Sequence, residues 1–247
     1  MIQRVFLAAI AAGIAAGVFV TIIQHWRVIP LISLAEQYEF SDGSTAHNHG
    51  LSELEEAILA EEPKQAILGE NGGPEEDTWP SDGVERSLYT LGSNLVTGVG
   101  FALLLGACVV MRGEKTDIKT GTLWGLAGFI AFSLAPAIGL PPETPGTEAA
   151  WLDERQNWFY FTAATTALSL ALIVFGKSWA VKLPGIILIS VPHIIGAPKP
   201  DEYVGSAPAP LAAEYAIHSL FASLCFWAVM GIVMGYCFYK SDEKQPE

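Results

Sequence analysis

Charge is scarce in this chain. Of its 247 residues only 16% are Asp, Glu, Lys or Arg, while 51% are hydrophobic and the mean hydropathy is +0.37. Soluble domains carry about 25% charged residues, so a water-exposed globular fold is excluded and a membrane protein is expected. Cysteine is nearly absent. Cys108, Cys225 and Cys237 all fall in apolar runs, which excludes a disulfide framework and leaves them as packing residues. Catalytic signatures are missing too. "GEKT" at 113–116 lacks the order and spacing of a phosphate loop, and there is neither an HExxH zinc-protease pattern nor a nucleophile elbow. No ATP site is visible and no enzyme is expected. Basic residues number 13 against 26 acids, a formal charge of −13. Such an excess fits nucleic acid poorly and concentrates cations.

What the chain has in abundance is long apolar runs. Val5–Ile23, Ser87–Met111, Thr120–Leu140, Asn157–Gly176 and Ala213–Tyr239 are each long enough for the roughly 20-residue helix that crosses a bilayer core. Leu183–Ala197 is shorter, contains Pro184 and Pro192, and carries His193. Counting it gives six spans, and leaving it out gives five. Basic residues favour six with both termini cytoplasmic. Arg4, Arg112, Lys115, Lys119, Lys177, Lys182, Lys240 and Lys244 then lie inside, eight of the 13. Only five acids (Glu114, Asp117, Asp242, Glu243, Glu247) share that side, leaving 26 − 5 = 21 outside. The first run is longer than the apolar region of a signal peptide, and is expected to be a retained helix.

The expected architecture is all-α: one polytopic membrane domain over 1–247, with an acidic extracytoplasmic loop at 24–86 between the first two helices. Within that loop, Ser52–Ala60 reads as a short amphipathic helix capped by Ser52. The first helix of each of three hairpins ends in a proline-bearing motif: "VIPLISLAEQYE" (28–39), "PAIGLPPETPG" (136–146) and "VPHIIGAPKP" (191–200). The last two share Pro, then Ile-Gly, then a residue and Pro, a short internal echo of the kind transporters carry. Proline frees backbone carbonyls, which in a bilayer must be buried in protein or line a wet cavity. The spacings Gly13-x-x-x-Gly17, Gly121-x-x-x-Gly125 and Gly231-x-x-x-Gly235 read as close helix contacts. Trp124, Trp151, Trp158, Trp179 and Trp227 read as an interfacial belt.

Candidate ligands gather at the outer boundary by topology alone. His47 and His49, in "AHNHG", put both imidazoles on one side of an extended stretch, a geometry suited to a divalent first-row metal. Glu143 sits between Pro141-Pro142 and Pro145-Gly146, where a helix stops. His193 is an imidazole in an apolar span, costly unless partnered or lining a polar path. His25, Glu36 and Glu39 lie at the same boundary. His218 is one turn beyond Glu214, so the two can serve as a ligand pair, a proton relay or a structural bridge. His47, His49, Glu143 and His193 form the expected metal site, and the other five a secondary metal or proton path. The competing readings are a solvated loop for His47 and His49, an ordinary interfacial carboxylate for Glu143, and a structural hydrogen bond to a proline-freed carbonyl for His193.

The motifs together resemble the CbtA family of probable cobalt transporter subunits. The resemblance is carried by "LAAIAAGIAAGVFVTIIQ", "PLISLAEQYE", "AHNHG", "DGVERSLYTLGSNLVTGVGFALLL", "GTLWGLAGFIAFSLAPAIGLPPETPG", "RQNWFYFTAATTALSLAL" and "VPHIIGAPKP"; residues 51–76 are particular to this chain. It implies a multi-pass protein of the cytoplasmic membrane, embedded in lipid, that takes up Co2+ for cobalamin synthesis and holds no permanently bound cofactor. It also implies a small partner, the second subunit of the same system, with one transmembrane helix and a histidine-rich end. The family is usually described with five spans. Two rival readings stand beside import: an accessory or scaffold subunit without a pathway of its own, and a membrane enzyme built around a metal. Nitrogen and oxygen ligands bind nickel and copper more tightly than cobalt, so residue types alone do not select the metal.

Overall fold

The computed structural model describes residues 2–39, 83–202 and 204–243. The acidic loop, with His47, His49 and the Ser52–Ala60 segment, lies outside the described residues. The described chain is helical apart from turns, links and one isolated bridge between Thr147 and Gly205. Five helices are long and apolar enough to cross a membrane: α1 (Gln3–Glu39), α2 (Val84–Arg112), α3 (Ile118–Gly139), α4 (Leu152–Phe175) and α6 (Ala209–Glu243). Between the last two stands α5 (Trp179–Ile195), 17 residues with Pro184 and Pro192 inside it. At 1.5 Å per residue it spans about 25 Å, short of a bilayer core near 30 Å. It still returns the chain to the end where α4 began, so six helices alternate in direction. A methyl added at Gly106 of α2 would lie 3.4 Å from Val5 and 3.8 Å from Met234, which places both chain ends at one end of the bundle.

No water exists in a bilayer core to drive apolar faces together, so helices associate by close packing. Small residues supply that closeness here. On α1, a Cβ at Gly13 would lie 2.6 Å from the backbone of Val99, and one at Gly17 would lie 2.7 Å from the carbonyl oxygen of Asn94. On α3, Gly121 and Gly125 face Gly231, Gly235 and the Trp227 carbonyl of α6 so closely that any side chain would strike backbone. The expected glycine contacts therefore exist, and two of them interlock with each other. Alanines Ala9, Ala12 and Ala16 of α1 are fully buried, and with Met230 and Met234 of α6 and Leu105 and Val109 of α2 they form the core. Leu7, Ile22, Val96, Leu123, Leu168 and Ile187 face outward as a lipid-facing surface would. The α4–α5 hairpin stands to the side, packed on itself through Gly185 against Ser169 and Leu172.

Two departures from the sequence expectation shape the open end of the bundle and its rim. First, α1 does not end near Ile23 but runs to Glu39, with one wide turn at Gln24–Val28 where the Ile29 N–H reaches back to the Gln24 carbonyl. In α3 the same wide turn occurs at Ile130–Leu134, with the Ala135 N–H on the Ile130 carbonyl. Proline comes after each, as Pro30 and Pro136. A proline ring clashes with the carbonyl four residues earlier, and widening the preceding turn moves that carbonyl aside. The shared backbone device thus links α1 and α3. Second, the tryptophan belt is only partial. Trp151 and Trp179 are exposed at helix ends, but Trp158 and Trp227 are buried, the latter lying on Gly128.

The turn between α2 and α3 is fixed by Gly113, whose φ of 71° only glycine adopts readily, and by Asp117, whose carboxylate accepts the Thr120 N–H at 2.7 Å. That bond holds the Asp117 carboxyl below its ordinary 3.8. A carboxyl lowered in the folded state stabilises above its unfolded pKa and loses that contribution as pH falls through the folded one. Asp117→Ala is expected to lower the melting temperature at neutral pH, and to approach the unsubstituted chain well below pH 3.8. For the glycine contacts, Gly121→Ala is expected to cost about 1–3 kcal/mol in detergent-solubilised unfolding. Gly100→Ala, where nothing lies within 4 Å, is expected to be neutral or mildly stabilising. Equal effects at the two positions would show that the α3–α6 contact is not a tight one.

Candidate functional site: a two-chambered cleft at one end of the bundle

The wide turns of α1 and α3 are at the same level, and a cleft opens beside them. Its larger chamber, about 650 Å³, lies among α1, α2, α3, α6 and the tip of α4. A second chamber, about 530 Å³, lies between α3, α4 and α6. Phe132, Ser133, Phe159, Ser219 and Ser223 line both, so the chambers adjoin and share a wall. Toward the closed end the cleft stops on an aromatic floor. Phe101 lies 5.1 Å from Phe132 and 5.0 Å from Trp227, and the Phe132 and Trp227 rings stack at 5.7 Å.

Polar groups in the walls are neutral and mostly paired. Asn94 donates to the Gln24 side-chain oxygen at 2.6 Å and to Thr21 at 2.9 Å, and Thr21 in turn donates to the Gly17 carbonyl. The Gln24 side chain thus springs from the first position of the wide turn. Ser133 and Ser223 share a hydrogen bond at 3.0 Å, and Trp227 Nε1 donates to Ser133 at 3.3 Å. Ser219 Oγ, at the junction of the chambers, is buried without a partner.

Charge occurs in two ion pairs. Arg86 holds both oxygens of Glu36 in a fork, at 2.6 and 3.3 Å, beside the first chamber. Arg155 holds Glu143 through one nitrogen at 3.0 Å in the second. All four side chains are about three-tenths exposed. Water therefore screens both pairs, and a forked pair of this exposure is worth about 1 kcal/mol.

Of the sequence-derived candidates, Glu36 and Glu143 reach the cleft, each against an arginine. His25 lies at its rim, with Nδ1 at 2.9 Å from the Thr21 carbonyl and Nε2 at 2.8 Å from Ser87. Glu39 lies beside Gly146 in the α3–α4 link. His193 packs against the edge of Trp158, ring centroids 6.2 Å apart. His218 bonds the backbone carbonyl of Glu214 at 2.9 Å rather than its carboxylate, and Glu214 is exposed. The structural bridge expected for that pair is thus to the main chain. Among the described residues no group of three or more His, Cys, Asp or Glu side chains is placed to hold a metal ion.

Sequence reasoning missed Gln24, Arg86, Asn94, Ser133, Arg155 and Ser219. The signal existed: Asn94 is an amide inside an apolar span, where polar groups are as costly and as informative as charges. Counting only ionisable groups passes over it. For the Glu36–Arg86 pair, a double-mutant cycle of Glu36→Gln and Arg86→Gln is expected to give a coupling near 1 kcal/mol in denaturant unfolding. A coupling indistinguishable from zero would mean the fork does not bind α1 to α2.

A family model described as probable cobalt transporter subunit (CbtA) matches residues 2–239. No curated protein and no solved structure matches the chain.

Proposed function

We propose that this chain, which belongs to the CbtA family of probable cobalt transporter subunits, takes up cobalt across the cytoplasmic membrane, with the two-chambered cleft as the outer half of the route. The activity the family name gives is transport rather than catalysis, the five helices long and apolar enough to cross a membrane support a multi-pass protein, and the designation as a subunit implies a partner. The observation that carries the reading is the asymmetry of the bundle. Wide turns, polar walls and the Glu36–Arg86 and Glu143–Arg155 pairs lie at one end, while toward the other the helices close on glycine contacts and an aromatic floor. Arg4, Arg112, Lys115, Lys119 and Lys240 lie toward that closed end, which supports its facing the cytoplasm. The cleft then faces the compartment from which the metal arrives.

His47 and His49 are proposed to make first contact with cobalt. In sequence they fall between Glu39 and Gly83, the described residues that flank them, each three residues from a member of the Glu36–Arg86 pair beside the first chamber. Glu143, which lines the second chamber, and His193, which packs on Trp158, are proposed as the next contacts of the metal. A small one-helix, histidine-rich second subunit is the proposed partner, and cobalamin synthesis the proposed use of the metal.

Replacing His47 and His49 together by Ala is expected to reduce uptake severalfold at limiting cobalt and little at saturation. Unchanged uptake at limiting cobalt would remove their role. Cobalt flux into vesicles holding this chain alone decides between a pathway and an accessory subunit: binding without flux supports the latter.

A further inference from the structure

The cleft has the wrong charge for a bare dication. Among the described residues that line the chambers, Arg86 and Arg155 are cationic and Glu143 is anionic, and none carries an imidazole or a thiol. Adding Glu36, which Arg86 holds, brings the sum to zero. A divalent ion there would meet one carboxylate already held by an arginine and no net negative charge to balance its own. The remaining lining has a different character. Phe101, Phe132, Phe159, Phe226 and Trp227 give flat apolar walls, and each chamber falls in the 300–1,000 Å³ range typical of small-molecule sites. Two polar groups are underused. Ser219 Oγ is buried at the junction with no partner, and Arg155 spends a single nitrogen on Glu143 although its fork carries five N–H donors. A guanidinium with spare donors beside aromatic walls is a recogniser of organic carboxylate.

We propose that the cleft binds cobalt as an electrically neutral chelate with a small dianionic hydroxycarboxylate, one ligand carboxylate resting on Arg155 and a ligand hydroxyl or oxygen meeting Ser219 once that side chain rotates into the cleft. This rests on the cobalt reading above and names the form in which the metal is held. The organic ligand supplies the metal's coordination shell, so the protein needs no ligand cluster of its own in the cleft. A neutral cargo matches a lining of zero net charge and moves through it without electrical work. The aqua ion, by contrast, carries two charges and would respond to the membrane potential.

The test uses the full chain in vesicles, with labelled cobalt and labelled malate, malate in excess, and cobalt chloride alone as the comparison. Expected are near-equal retention of the two labels, uptake that does not change with an imposed potential, and at least tenfold weaker malate retention in Arg155→Gln. Arg155→Lys keeps the positive charge without the planar fork, and is expected to recover part of the retention lost in Arg155→Gln. Cobalt retained without malate, potential-driven uptake, or malate retention in Arg155→Gln equal to that of the unsubstituted chain would each overturn the chelate. If cobalt crosses from the chloride and not from the malate solution, only this inference fails. If it crosses from neither, the cobalt reading fails with it.

Discussion

The bundle depends on backbone touching backbone. At Gly121, Gly125, Gly231 and Gly235 the main chains of α3 and α6 approach so closely that no side chain fits between them, and Gly13 and Gly98 bring α1 against α2 in the same way. In a solvent as apolar as the helices themselves, this contact supplies the association that hydrophobic burial supplies in water. Both clasps sit in the same half of the molecule. Beyond them the glycines give way, and α1 meets α2 through Gln24 and Asn94 while α3 meets α6 through Phe132 and Trp227, side chain to side chain rather than backbone to backbone. The cleft is the consequence of clasping one half of two helix pairs and not the other.

Proline then shapes the open half. Pro30 and Pro136 remove one N–H each, and the turn before each widens so that the chain passes without breaking. A broken helix would expose backbone polar groups to lipid; a wide turn facing a cleft keeps them within the protein. It also turns Gln24 and Ser133 to line the cavity, where Asn94 and Ser223 meet them.

Electrostatics gives the cleft its restraint. Glu36 and Glu143, which a sequence reading offers as free metal ligands, are each matched by an arginine from the next helix. A carboxylate in a fork with arginine is already satisfied, and drawing it to a metal means leaving a guanidinium behind. The pairing also joins helices: Arg86 ties α2 to α1, and Arg155 ties α4 to the end of α3.

Several features were legible in the residues themselves. The length of the apolar runs determined the helices, because a bilayer fixes how many apolar residues must succeed one another. Glycine spacing determined which faces meet, because only residues three or four apart fall on one side of a helix. The quoted motifs pointed to the family. Other features depended on three dimensions. Helix partners are not encoded by spacing, so the meeting of Gly121 with Gly231, or of Arg155 with Glu143, became visible only when distant segments were side by side. Whether Trp227 anchors at an interface or floors a cavity, and whether His218 reaches a carboxylate or a carbonyl, turned on neighbours that sequence spacing does not name. Sequence order sets what each helix can offer; only packing decides which of those offers is taken up, since contact energies act over a few ångströms of space and not along the chain.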